Sequence, residues 1–168
     1  MLRIRAAHRW TPLLPTVLAG ALLLAAAPAS GAGAPVAVIV HEQVPADDLS
    51  LPELKRIFLG ERMFWHKELT ITLLMPPRGS REREVLLKRI YERRSEAEYQ
   101  HYWINKLFGD GEHAAPKITG SPQMSAGLVR EIPGAIALVP ADRIPRGVKV
   151  LRIDGKRPGE AGYPLVST

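Results

Sequence analysis

The apolar residues of this chain alternate between short β-branched runs and stretches with helical spacing. The run from Val36 to Val40 is continuously apolar, which is typical of a strand buried on both faces. Further strands are predicted over residues 69–75, 135–139 and 148–153. Because helical stretches separate these strands, the order β-α-β-α-α-α-β-β predicts an α/β protein with a mixed sheet flanked by helices.

Serine residues mark the predicted helix starts. Ser50 with Glu53, and Ser95 with Glu98, have the spacing of a capping box. Ser80 begins another helix, and Ser121 precedes a proline at the first position of a short helix. We therefore expect helices to begin close to residues 51, 81, 96 and 122.

The spacing of apolar residues also predicts which side chains of the central helices are buried. Val85, Leu86 and Ile90 form one stripe at helical spacing. The next helix should bury a stripe that consists of Tyr99, Trp103, Leu107 and Phe108. Residues 109–120 are predicted to form a loop. The apolar stripes face the sheet in this interpretation.

Residues 1–30 have the features of a cleavable secretory signal peptide. Arg3, Arg5 and Arg9 precede an apolar run, and Ala27-Pro28-Ala29 is a cleavage zone of small residues. The run is shorter than the ~20 apolar residues of a membrane span, which disfavours the alternative of an uncleaved anchor helix. We expect an exported, periplasmic protein with a single domain over residues 31–168 and no membrane span after cleavage.

The net charge of +6 overstates the basic character of the predicted domain. The chain has 23 Lys and Arg residues and 17 Asp and Glu residues. Three of the cations lie in the leader and no acid does, so the remaining balance is 20 minus 17, or +3. This balance does not support a broad basic surface for nucleic acid, and we expect no nucleic-acid partner.

The residues carry no recognised signature of an enzyme, a metal site or a cofactor. The chain has no cysteine, which excludes thiol catalysis and cysteine-ligated zinc. The histidines show neither a pair at i, i+4 nor an HExxH pattern. The nucleophile elbow, the phosphate loop and the dinucleotide fingerprint are also absent. A non-enzyme without metal or cofactor is expected.

Three segments together resemble the phosphate-type periplasmic solute-binding proteins of ABC transporters. They are LSLPELKRIFLG at residues 49–60 with Trp65, RGS at 78–80, and PGAIALV at 133–139. The resemblance implies one lobe of a type II periplasmic-binding-protein-like fold, since the chain has roughly half the family's length. It also implies a phosphate or related oxyanion as ligand and a membrane transporter as partner.

The resemblance places the anion site at the helix that Ser80 begins. The first turn of a helix presents unpaired N–H groups and the positive end of the helix dipole. Ser80 adds a hydroxyl, and Gly79 allows close approach of the backbone. The predicted ligand-binding residues are Arg78, Gly79, Ser80, Arg81 and Arg83, in which the arginines supply cationic donors.

Two departures from the family's motif define what this site would bind. The family's arginine position falls on Pro76, and the acid that accepts a hydrogen bond from protonated phosphate falls on Arg78. Because arginine cannot accept a hydrogen bond, a fully ionised anion is favoured. The alternative is that Ser80 is a helix cap with a solvated face. The chain would then be a degenerate lobe that acts as a protein-interaction or structural module.

Overall fold

A five-stranded mixed sheet forms the centre of the protein. The computed structural model describes residues 33–92, 95–109 and 115–167, and the predicted leader lies outside these ranges. The strand order is β6-β5-β7-β1-β8. The strands are β1 (Val36–Val40), β5 (Thr72–Met75), β6 (Lys117–Ile118), β7 (Ala135–Pro140) and β8 (Lys149–Val150). The prediction of an α/β protein with a mixed sheet is confirmed.

Both parallel and antiparallel pairs occur in this sheet. Strand β5 is parallel to β6 and β7, whereas β1 is antiparallel to β7 and β8. Two smaller sheets lie beside it. One pairs β2 (Asp48–Leu49) with β9 (Arg152–Ile153) in parallel, and the other pairs β3 (Phe64–His66) with β4 (Leu69–Thr70) as an antiparallel hairpin.

Helices cover both faces of the sheet. They are α1 (Leu51–Phe58), α2 (Arg81–Val85) with a π-helical turn (Leu86–Ile90), α3 (Glu96–Gly109) and α4 (Pro122–Glu131). The first three helices pack on one face, where they form the larger apolar core, and α4 packs on the other. In the part of the chain that the structure describes, no helix is both long and apolar enough to cross a membrane.

The predicted helix starts agree with the structure. Ser50 and Glu53 form a reciprocal capping box, and Ser80 and Ser121 accept hydrogen bonds from the third residue of their helices. At the start of α3, Ser95 and Glu98 exchange the same pair of bonds. These local hydrogen bonds satisfy amide groups that the first turn of a helix leaves unpaired.

Two predicted strands are each divided in the structure. Residues 69–75 form β4 and β5, which belong to different sheets, and residues 148–153 form β8 and β9 in the same way. Residue 151 lies at the second break, where its buried side chain packs in the core and its N–H bonds to the carbonyl of Val38. The chain therefore turns from one sheet into another, which a continuous apolar pattern does not reveal.

Two further predictions from the apolar pattern were wrong. The segment predicted as a loop over residues 109–120 contains β6, a strand of two exposed residues. Phe108, which we expected in the core, is 87% exposed, whereas Tyr99 and Trp103 are buried as predicted. At about 100° per residue, Phe108 lies roughly 140° around the helix from Trp103 and about 180° from Tyr99, so its exposure follows from the helical period.

Tyr91 links α1 to α3 through hydrogen bonds inside the larger core. Its hydroxyl donates to the carbonyl of Phe58 at 2.5 Å and accepts from Nε1 of Trp103 at 3.0 Å. The Tyr99 ring meets the Tyr91 ring edge-on, with 5.0 Å between centroids. Burial raises the pKa of Tyr91, which favours the protonated hydroxyl that donates this bond.

Replacement of Tyr91 by phenylalanine should therefore destabilise the protein more than replacement of Tyr163. Tyr91→Phe leaves two buried partners unsatisfied, and we expect a loss of about 2–3 kcal/mol in the free energy of unfolding. Tyr163→Phe removes one bond, to the carbonyl of Val36, and should cost about 1 kcal/mol. Urea denaturation of both variants measures the difference, and equal losses would contradict the linking role of Tyr91.

Candidate functional site

The predicted site lies at the edge of the sheet where the three parallel strands end, here called the carboxyl edge. Strands β5, β6 and β7 end there at Met75, Ile118 and Pro140. The chain leaves β5 for α2 on one face and leaves β6 for α4 on the other. In α/β sheets, such divergence of neighbouring connections opens a crevice in which ligands bind.

Thr119 joins the end of β5 to the first turn of α4 through hydrogen bonds. Its N–H and its hydroxyl both donate to the carbonyl of Met75, at 2.9 and 3.0 Å. Its hydroxyl oxygen also lies 2.6 Å from that of Ser125 in α4. Since Thr119 and Ser125 are buried, these bonds are shielded from water and hold the start of α4 beside the end of β5.

Ser80 caps α2 at the surface of the carboxyl edge. Its hydroxyl oxygen accepts from the N–H of Arg83 at 3.2 Å. Helix geometry leaves the N–H groups of Arg81 and Glu82 without a carbonyl one turn earlier. Gly79 has φ +75°, and a Cβ there would meet no atom within 4 Å, so the space before the helix is open to a ligand.

Arg78 and Arg81 are the predicted site residues whose charge reaches solvent. The side chain of Arg78 is 60% exposed, and its Nε lies 4.0 Å from Glu96. The Arg81 guanidinium lies 3.7 Å from both Glu82 and Asp142. Both distances are too long for a hydrogen bond. The Nε of Arg81 is buried without a partner, but the side chain as a whole is 36% exposed, so its outer nitrogen atoms can reach solvent.

Arg83, in contrast, points into the protein. Its side chain is 1% exposed and donates through Nε and Nη2 to the two carboxylate oxygens of Glu96, at 2.6 and 3.0 Å. Its guanidinium stacks on the Tyr99 ring at 3.9 Å, while its Nη1 is buried without a hydrogen-bond partner. The structure thus gathers Arg78, Gly79, Ser80 and Arg81 at the surface, and places Arg83 behind them.

A buried acid also belongs to the first turn of α2. Glu82 is 4% exposed, and its carboxylate lies beside Arg81. A negative charge at a helix start is favourable because of the helix dipole. The same charge repels an incoming anion. The carboxyl edge therefore has both exposed cations, which attract an anion, and the Glu82 carboxylate, which repels it.

The predicted site did not include residues that the segments after β6 and β7 contribute to this edge. Thr119 and Ser121 come from the loop after β6, and Asp142 comes from the short 3-10 turn after β7. The sequence marks Ser121 as a helix cap, but it gives no sign that this cap follows a strand that ends at the same edge of the sheet as β5. That placement depends on the parallel pairing of β6 with β5, and a strand of two residues has no detectable periodicity.

The Arg83–Glu96 pair should make stability depend on pH. The hydrogen bonds from Arg83 hold the pKa of Glu96 below its ordinary value of 4.5. A carboxylate with a lowered pKa stabilises the fold above its unfolded pKa, and this contribution is lost as the pH falls through the folded pKa.

We therefore expect Glu96→Gln to lower the free energy of unfolding at pH 7 by about 1–2 kcal/mol, a value reduced by the partial exposure of Glu96. The difference from the unaltered protein should shrink as the pH falls below about 4.5. Glu84→Gln, an exposed carboxylate on α2, is the matched control and should show little change. Denaturant titrations from pH 3 to 8 test this, and a constant difference would contradict it.

Comparison with known proteins identifies the fold through solved structures. No family model and no curated protein matches the sequence. The fold is similar to PstS from Borrelia burgdorferi, with a TM-score of 0.61 and 14% identity over 80% of this chain and 55% of that one. It is also similar to an ABC-type phosphate transport receptor from Vibrio cholerae, with a TM-score of 0.52 and 16% identity over 76% and 49% of the two chains.

A third structure is similar and contains phosphate. It is a protein from Clostridium perfringens assigned as the substrate-binding protein of a phosphate ABC transporter, with a TM-score of 0.55 and 20% identity. The match covers 74% of this chain and 46% of that one, so this chain spans about half the length of the solved structures it matches. The protein therefore has the fold of part of a periplasmic phosphate-binding protein, as the resemblance predicted.

Proposed function

We propose that this protein is an exported, solute-binding-like protein that binds phosphate or a related oxyanion, such as sulfate, at the carboxyl edge. The observation that carries the proposal is that the Ser80 cap, Gly79 and two solvent-accessible arginines, Arg78 and Arg81, lie together at the start of α2. The fold shared with phosphate-binding proteins supports this choice of ligand.

Within this proposal, the five predicted site residues have different roles. Ser80 and the open amide groups of the first turn would contact the anion, and Arg78 and Arg81 would pair with its charge. Arg83 would act as a positioning residue, because its pair with Glu96 joins the first turn of α2 to α3. An ABC-type membrane transporter is the partner that this function implies, and the periplasm is the compartment.

The geometry favours weak binding. The carboxyl edge is open, so solvent and salt screen the attraction between an anion and the arginines. Glu82 adds repulsion. A dissociation constant in the high micromolar to millimolar range, or roughly −4 to −6 kcal/mol, is expected.

A second candidate function is a protein-interaction module, and one observation favours it. Ile104 and Phe108 lie one turn apart on α3 and are 52% and 87% exposed. Neighbouring exposed apolar side chains of this size are typical of partner surfaces. Sedimentation distinguishes the two functions, since a module of this kind forms a stable complex and shows no response to oxyanions.

A thermal-shift titration with phosphate and sulfate, against chloride at matched ionic strength, tests oxyanion binding. A ligand at ten times its dissociation constant should add about 1.4 kcal/mol of stability, which raises Tm by a few degrees. Arg78→Ala combined with Ser80→Ala should abolish the shift. The matched control, Ser50→Ala at the start of α1 with Arg56→Ala in its last turn, should retain it. A thermal shift that persists in the Arg78→Ala, Ser80→Ala variant would show that the anion binds elsewhere.

Removal of the charge on Glu82 should strengthen oxyanion binding. The buried carboxylate lies in the turn whose amide groups would hold the anion, so Glu82→Gln should raise the affinity by about three- to tenfold. Glu84→Gln removes an exposed and better screened charge from the same helix and should have a smaller effect. Calorimetric titration compares the variants, and equal affinities would argue against binding at α2.

A further inference from the structure

A second cavity lies at the opposite end of β5 from the carboxyl edge. It has a volume of about 290 Å³ and is bounded by the end of α1, the β3–β4 hairpin, the start of β5 and α3. Apolar side chains form most of its wall, namely Ile57, Met63, Phe64, Ile71, Leu73 and Trp103. None of these residues belongs to the proposed oxyanion site.

The charges at this cavity have one sign. Among the described residues that line it, Arg62 and Lys117 are cationic and none is acidic. Arg62 is fixed in place, because it donates to the carbonyls of Phe64 and Trp65 at 3.2 and 3.3 Å and stacks over the Trp65 ring. Its orientation is therefore set before any ligand arrives, which lowers the entropy lost on binding.

Lys117 supplies a charge that the described residues leave uncompensated. Its side chain is exposed, and within residues 33–92, 95–109 and 115–167 it makes neither an ion pair nor a hydrogen bond. It stands on β6, at the margin of an apolar cavity. An anionic group there would gain a partner while the rest of its molecule enters the apolar space.

We propose that this cavity binds a small amphiphilic carboxylate, in which an apolar tail enters between Leu73 and Trp103 and the carboxylate pairs with Lys117 and Arg62. Ligand pockets commonly combine a largely apolar wall with a few polar groups that fix orientation. At roughly 30 Å³ per non-hydrogen atom, the volume accommodates about ten such atoms. A straight-chain fatty acid of eight carbons has this size.

The size of the cavity limits the length of the alkyl chain that it can bind. Each added methylene that enters apolar surroundings contributes about 0.8 kcal/mol, or about fourfold in affinity. Affinity should therefore rise by about fourfold per carbon from hexanoate to octanoate. It should level off beyond about eight carbons, when the tail outgrows the cavity.

Titration of the purified protein with octanoate, octanol and octylamine tests the proposal. Trp103 lines the cavity, so its fluorescence should change on binding, and calorimetry gives the affinities. Octanoate should bind best and octylamine worst. Absence of saturable binding of octanoate below its micellar concentration would overturn the proposal, as would equal binding of octanoate and octylamine.

Two substitutions then test the position of the carboxylate. Lys117→Gln should lower the affinity for octanoate several-fold and leave the affinity for octanol unchanged. It removes the charge of an exposed side chain, so the fold should not be disturbed. Lys67→Gln, at the tip of the β3–β4 hairpin and outside the cavity lining, should leave both unchanged. Equal effects of the two substitutions would overturn the assignment. The Arg78→Ala, Ser80→Ala variant should bind octanoate normally, which separates this site from the oxyanion site.

Discussion

The insertion of β1 between β7 and β8 is the constraint on which the rest of the structure depends. All five of its side chains are fully buried. Val36, Val38 and Val40 face the core beneath α1, α2 and α3, whereas Ala37 and Ile39 face α4. Both cores therefore contain side chains of one strand, and a register slip of one residue would place the side chains of each face in the other core.

The carboxyl edge inherits its geometry from this sheet. Because β7 is held by β1, it presents a fixed partner to β5, and β5 in turn aligns β6. The ends of the three parallel strands then lie side by side, and Thr119 joins the loops that follow them. Behind this surface, the Arg83–Glu96 pair attaches α2 to α3. The first turn of α2, beside which Arg78 and Arg81 lie, is therefore held in place.

The sequence predicted the parts of the fold that depend on local chemistry. Caps such as Ser50 and Ser121 act within one turn, and a run such as 135–139 is apolar enough to be recognised as a buried strand. The breaks at residues 71 and 151 depend on which sheet each half of a strand joins. That choice is made by distant partners, such as Asp47 for Arg152 and Val38 for Leu151, and it leaves no local signal.

The sequence likewise predicted the position of the candidate site along the chain, but not the direction of every side chain in it. Ser80 and its neighbours are contiguous in sequence, so one segment sufficed to propose them. The inward direction of Arg83 depends on Glu96 and Tyr99, although its position three and seven residues before Leu86 and Ile90 continues the buried stripe. A charged residue in such a stripe signals an internal ion pair, since burial of an unpaired charge is strongly unfavourable.

The position of β1 also has a consequence for how the molecule acquires its fold. Its partners in β7 lie about 100 positions later in the chain, and contacts over such separations form slowly because a long loop must be closed first. The helices can begin to form while the chain is still short. The central ladder cannot be completed until residues up to Val150 are available. A chain interrupted before β7 is complete retains its first strand as an exposed apolar segment, open to capture by chaperones or by other unpaired strands.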